Sequence, residues 1–158
     1  MGELSGRKDD VEIAYLIDPD QRTWPSALKS VSDKGHKPQT VSDIRSALED
    51  KNLDAVTVAT PNHWHALITI WACQAGKDVY VEKPCSHTVH EGRVMTQWAR
   101  KLGRMCQMGV QSRSMSGMRQ TLEFVHSGKL GKVSAARAVC YRRRDSIGLT
   151  GQEAPIPQ

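Results

Sequence analysis

The chain has 158 residues, 39% of them hydrophobic and 25% charged, with a net charge of +5. That length suits one domain with a real core, and no apolar run approaches the roughly 20 residues of a membrane-crossing helix. The positive charge is scattered apart from Arg142, Arg143 and Arg144, and one Phe and three Tyr offer little for base stacking, so it reads as a solvated basic edge, with neither a nucleic-acid nor a membrane partner.

Residues 1–10 are polar and lack the apolar centre of a signal peptide. Cys73, Cys85, Cys106 and Cys140 are far apart, with no Cys-x-x-Cys, which points to free thiols in a reducing, cytoplasmic compartment. Residues 11–17, Val-Glu-Ile-Ala-Tyr-Leu-Ile, predict a strand buried on both faces. Trp24, Ala27, Leu28 and Val31 then repeat at helical spacing, with Pro25 in the first turn and Gly35 as the stop. Thr40 and Val41 suggest a short strand. Ser42 is the expected cap of a helix whose apolar face is Ile44, Ala47 and Leu48.

Residues 55–59, Ala-Val-Thr-Val-Ala, predict a second buried strand, and residues 66–75, apolar almost all round, a well-buried helix. Val79, Tyr80 and Val81 form a short strand that needs neighbours on both sides. Thr88 and Glu91 have the spacing of a capping box, ahead of a helix with Val94, Met95, Trp98, Ala99 and Leu102 inward. A strand over 105–110, a helix over 114–127 with Met118, Leu122 and Val125 inward, and a last strand over 133–141 complete the pattern. After Arg144 a loose tail is expected. Strand and helix alternate, with Gly35, Gly76 and Gly103 between helices and the next strands. This is the pattern of an α/β fold with a parallel sheet and helices on both faces.

The stretch 78–84 ends its strand in Glu82, Lys83 and Pro84. Ligands bind at the carboxyl edge of open α/β sheets, and the proline stops the ladder there. Glu82 and Lys83 are either an exposed ion pair of little weight or a working pair in which Lys83 assists proton transfer from a substrate hydroxyl as hydride leaves the carbon. A lysine performs that role when its surroundings bring its pKa towards neutrality. The strand-end position favours the working pair. Asp18 closes the first strand and reads either as a ribose-binding acid or as a turn residue before Pro19. Thr60, Pro61 and Asn62 stand where a strand meets a helix, a place for an anion or a polar cofactor edge, although Asn62 also suits a helix cap. His63 and His65 flank Trp64 without an acid or Cys cluster to complete a metal set, and the same holds for His87 and His90, so no metal is expected.

Asp18 after a strand, Ala59-Thr60-Pro61-Asn62 with His65, Ala75-Gly76-Lys77-Asp78-Val79 and Glu82-Lys83-Pro84 come in an order and spacing that resemble the Gfo/Idh/MocA family of glucose-fructose oxidoreductase and inositol 2-dehydrogenase. The likeness runs from about residue 11 to about residue 141. It implies an N-terminal Rossmann domain for NAD or NADP, with NAD favoured by Asp18, and a C-terminal α/β domain for a sugar, inositol or related polyol. By that resemblance Asp18 contacts the adenosine ribose, and Thr60, Pro61, Asn62 and His65 line the cofactor cleft. Glu82 and Lys83 lie by the nicotinamide, with Lys83 also touching the reacting hydroxyl. Gln111 is a further candidate on the nicotinamide side.

The family's Gly-x-Gly-x-x-Gly turn and its strand and helix need about 30 residues before the strand that ends in the acid. Here ten polar residues precede Val11, and Gly2 and Gly6 do not make that motif. The family's substrate domain also runs well past the length of this chain. The resemblance therefore implies a fragment. Residues 1–10 are a polar tail, 11–127 an incomplete Rossmann domain lacking its first strand and Gly-rich turn, and 128–158 the start of the C-terminal domain with its tail. In such a fragment the strand at 11–17 lacks one partner and shows an open edge. Three functions follow: an NAD(P)-dependent polyol or sugar oxidoreductase, an NAD-using glycosidase of the same family, or a catalytically inactive binding or assembly module. A homo-oligomer is compatible with all three.

Overall fold

The computed structural model describes residues 4–7 and 9–139. It divides into two compact units, one up to Gly109 and one from Val110 onward. In the first unit β1 (Tyr15–Ile17), α1 (Trp24–Ser32), β2 (Gln39–Val41), α2 (Ile44–Leu48), β3 (Ala55–Val58), α3 (Asn62–Gln74), β4 (Asp78–Glu82), α4 (Val89–Lys101) and β5 (Cys106–Gly109) follow in order. The fold is α/β and Rossmann-like, with every strand pairing parallel.

The strands form two sheets, β1-β2 and β3-β4-β5. As its short apolar sequence requires, β4 lies between two neighbours. Among the described residues β1 pairs with β2 alone and β3 with β4 alone. The first strand is shorter than residues 11–17. Val11 N donates to Arg7 O at 2.8 Å and Ile13 N to His36 Nδ1 at 3.3 Å. One amide is taken up by a nearby carbonyl and the other by a distant imidazole, so the strand begins only at Tyr15.

The core is a plate of valines. Register sets Val56 beside Val79 and Val58 beside Val81, and all four are buried against Ile68, Ala72 and Cys73 of α3 and Ala99 of α4. Each fully buried valine contributes about 1.5–3 kcal/mol through burial. Along β3 the intervening Ala55 and Thr57 are exposed, which corrects the expectation of a strand buried on both faces. Period-two geometry sends them to the other side, and the helices that bury the valines leave that side open among the described residues. Likewise α3 is not buried all round, since Leu67 is exposed.

Gly76 makes the tight passage from α3 into β4. Its φ of 78° lies in the left-handed region that suits glycine, and Lys77 N reaches back to Ala72 O at 2.9 Å, closing the helix. Gly35 and Gly103 end α1 and α4 with positive φ as well. The cap of α2 is Asp43 and not Ser42. Its carboxylate accepts from Arg45 N at 2.9 Å and pairs with the Arg45 guanidinium, an attraction a hydroxyl lacks. The Arg45 side chain holds the Asp43 carboxyl below the usual carboxylate range. The two sheets are joined by side chains instead of a ladder. Leu48 of α2 belongs to the valine core. At Asp50, Tyr15 Oη donates to Oδ2 at 3.0 Å and the buried Lys77 donates through Nζ to the backbone oxygen at 2.6 Å.

In the second unit a 3-10 turn (Gln111–Ser114) precedes α5 (Ser116–His126). Met118 and Leu122 are exposed, against the expected inward stripe, because no element within this unit covers them among the described residues. Residues 133–139 form no strand, for the unit's described residues offer no ladder partner. The rest of that expected strand and the expected tail lie outside the described residues. Cys73, Cys85 and Cys106 are free thiols, and Cys140 lies outside the described residues.

Replacing Val81 by Ala should lower the unfolding free energy by about 2–3 kcal/mol, through lost transfer plus a residual cavity. Thr57→Ala on the open face should cost less than about 1 kcal/mol. Urea titration of both variants measures the contrast. A second expectation concerns the start of α4, where Thr88 and Glu91 form the capping box. The Thr88 N–H bonded to Glu91 is the main cause of a carboxyl pKa below the usual range. The group therefore adds stability above the ordinary carboxylate pKa and loses it as pH falls through the lowered folded value. Glu91→Gln should flatten the acid limb of a stability-against-pH curve. An unchanged limb would remove Glu91 from that linkage.

Candidate active site at the strand ends

Because Val58 lies beside Val81 in a parallel pair, the chain leaves β3 and β4 at the same edge. From β3 it passes Thr60 and Pro61 into α3. From β4 it passes Glu82 and Lys83 into Pro84, across a cis Lys83–Pro84 peptide bond. Thr60, Pro61, Asn62, Lys83 and Pro84 are exposed, and Glu82 is half-buried. His65 joins the two turns from behind. It is 1% exposed, its Nδ1 lies 2.6 Å from Pro84 O and its Nε2 2.7 Å from Thr60 O.

Pro61 occupies the cap position of α3 without a side-chain hydrogen bond, and Asn62 is the first helical residue. The capping role held open for Asn62 thus falls one residue earlier. A helix start without a side-chain cap leaves first-turn N–H groups directed outward. Lys83 forms no ion pair with Glu82, and the ion pairs among the described residues lie elsewhere. The surface-pair alternative therefore loses its support.

The Glu82 side chain packs over β5 instead. Register places Gly109 opposite Glu82, and a β-carbon at Gly109 would stand 2.8 Å from the Tyr80 hydroxyl oxygen and 3.1 Å from Glu82 Oε2. Gly109 and Tyr80 are site neighbours that sequence reasoning missed. The available signal was a glycine at the end of a strand next to one ending in a carboxylate.

Asp18 directly follows β1, in the other sheet. One carboxylate oxygen accepts from Asp20 N at 2.8 Å, and its backbone oxygen accepts from Trp24 Nε1 at 3.0 Å. The turn role is real, but it occupies one carboxylate oxygen only, and the other has no hydrogen bond among the described residues. Gln111 is exposed at the start of the second unit.

The turns of β3 and β4 together offer an exposed amide, an exposed ammonium, a half-buried carboxylate and the open start of a helix. That donor set fits the polar edge of a nicotinamide cofactor. His63 is exposed with its ring centroid 6.0 Å from that of Trp64, and no group of three or more His, Cys, Asp or Glu among the described residues is arranged to hold a metal ion. A cavity of about 340 Å³ opens elsewhere, between α4 and the β4-β5 pair, lined by Val81, Cys85, Met95, Ala99, Cys106 and Met108 among others. It contains neither Lys83 nor Asn62. Burial pushes the Cys73 and Cys106 thiols up, which suits packing and not nucleophilic chemistry. No helix among the described residues is long and apolar enough to cross a membrane.

Comparison with known proteins bears on the family and the fold. A family model for Gfo/Idh/MocA, described as an oxidoreductase family with an NAD-binding Rossmann fold, matches residues 1–110. Levoglucosan dehydrogenase of Pseudarthrobacter phenanthrenivorans is 30% identical over 98 residues, 62% of this chain and 25% of that protein. A glycosyl hydrolase family 109 protein of Saccharopolyspora erythraea is 35% identical over 129 residues, 78% of this chain and 28% of that protein. Among solved structures, myo-inositol 2-dehydrogenase of Lactobacillus plantarum matches with a TM-score of 0.72 at 22% identity, covering 84% of this chain and 38% of that one, a likeness of fold. The chain thus spans well under half the length of these proteins.

Gly109→Ala should destabilise the first unit by about 1–3 kcal/mol through overpacking against Tyr80 and Glu82. Part of that cost should return in the Gly109→Ala, Tyr80→Phe double variant, which removes the closest atom. Equal melting temperatures for the unmodified chain and Gly109→Ala would show that the contact is not tight.

Proposed function

The chain belongs to the Gfo/Idh/MocA oxidoreductase family, and from that premise we propose that its two strand-end turns form the reacting edge of a nicotinamide site for a sugar, inositol or related polyol. The observation that carries this reading is Lys83, an exposed ammonium with no ion pair among the described residues, at the carboxyl end of the central strand and beside the turn that presents Asn62. When bound, the cofactor supplies the hydride acceptor. Lys83 takes the hydroxyl proton as the carbon is oxidised and returns it in the reverse direction. Asn62 and the first turn of α3 hold polar groups of the cofactor, with Thr60 and Pro61 as the adjoining wall. Glu82, seated over Gly109, lies beside the nicotinamide. The carboxylate oxygen of Asp18 not used in its turn accepts from a ribose hydroxyl and repels a 2′-phosphate, which favours NAD over NADP.

A second reading is favoured by the 35% identity to a glycosyl hydrolase family 109 protein. Here transient oxidation labilises a glycosidic bond, and the hydride returns to the sugar after the bond breaks, so the cofactor ends unchanged. The same lysine would serve. Product analysis separates the two, because net NADH indicates a dehydrogenase and sugar release without net NADH indicates the glycosidase. In either case Lys83→Ala should lower kcat by about 10²–10⁴-fold, the range of general acid–base catalysis, with cofactor affinity little changed. A Lys83→Ala enzyme with the unmodified kcat would overturn the assignment.

A further inference from the structure

The His65 ring meets two hydrogen-bond acceptors and no donor. The oxygen of Pro84 lies 2.6 Å from Nδ1 and the oxygen of Thr60 lies 2.7 Å from Nε2. A backbone carbonyl only accepts. A neutral imidazole carries one N–H and one lone pair, and both nitrogens donate only in the imidazolium form. We propose that His65 is an imidazolium that staples the turn after β3 to the turn after β4, and so acts as the positioning residue for Lys83.

Two effects oppose the charge. The ring is 1% exposed, and burial disfavours an ion. It also lies near the start of α3 (Asn62–Gln74), the positive end of the helix dipole. Two short charge-assisted bonds act the other way. The neutral ring would hold a nitrogen lone pair against an oxygen lone pair at 2.6 or 2.7 Å, too close for a third molecule to lie between them. The second loss outweighs the first. Among the described residues no carboxylate hydrogen-bonds the ring, and the charged residues closest along the neighbouring turn are Glu82 and Lys83, so carbonyl dipoles supply the stabilisation.

The consequence is geometric. Pro84 O is one residue beyond Lys83, and Thr60 O is two residues before Asn62. Bonds from one rigid ring to both carbonyls fix the spacing of the two turns. The protonation state is independent of what the site binds, whereas the positioning role rests on the reading of Lys83 as the proton-transfer group.

Nitrogen-15 NMR of the 158-residue chain at neutral pH, with ring signals assigned through the backbone, tests the first part without a substitution. The expected result is two N–H-type ring nitrogens for His65, both slow to exchange with water. One nitrogen with the shift of a bare lone pair would overturn the proposal, whatever Lys83 does. In turnover assays His65→Gln should lower kcat at least about tenfold while the KM for cofactor stays within about twofold, as expected of a lost positioning contact. An unchanged kcat in His65→Gln, alongside a large loss in Lys83→Ala, would overturn the positioning role alone. An unchanged kcat in Lys83→Ala would instead remove the functional reading and leave the staple standing.

Discussion

The parallel pairing of β4 with strands on both sides is the constraint on which the rest depends. It sets Val58 beside Val81 and, one step further on, delivers the ends of β3 and β4 to the same edge. Parallel strands need crossovers of a dozen or more residues, and α3 and α4 supply them. Their packing faces then find the valine plate already formed by register. The polar residues of the proposed site are those that come after the ladder has stopped.

This division of labour explains which residues are buried. Along β3 and β4 the valines turn to the helices, while Ala55 and Thr57 turn away. At the edge the order reverses, and the exposed residues are the chemically capable ones. His65 is the exception, a polar side chain in the interior whose bonds lie in the two turns themselves. Its position on α3 makes the helix both a lid for the core and a clamp for the site.

Much of this was legible in the sequence because it rests on short-range rules. The capping box at Thr88 and Glu91, the positive-φ glycines between helices and strands, and the short central strand ending in Glu82 are each specified by a few neighbouring residues. Expectations failed where the outcome depended on distant partners. Residues 55–59 are composed like a doubly buried strand, but burial of the second face requires a covering layer that local composition cannot encode. Met118 and Leu122 have a helical stripe, yet a stripe does not name what it packs against. The pattern at 11–17 is apolar, but the ring of His36, far along the chain, takes the amide of Ile13. At the site, the strand-end motif named residues that the structure brings to one edge of the sheet. The contact of Gly109 with Tyr80 and Glu82 arises from register between separate strands and leaves no local signature.

Asp50 joins two ladders that share no main-chain bond, through Tyr15 on its carboxylate and Lys77 on its carbonyl. The bond to Asp50 raises the Tyr15 pKa, and the Asp50 carboxyl is lowered, first by the Asn52 amide and then by Tyr15. The two sheets are thus held together by hydrogen bonds at Asp50 and by Leu48 of α2, which packs into the valine core. On the proposed reading the adenosine end of a dinucleotide rests on one plate and its reactive end on the other. Bound to both, the dinucleotide would favour the spacing of the two sheets at which Asp18 and Lys83 are reached together.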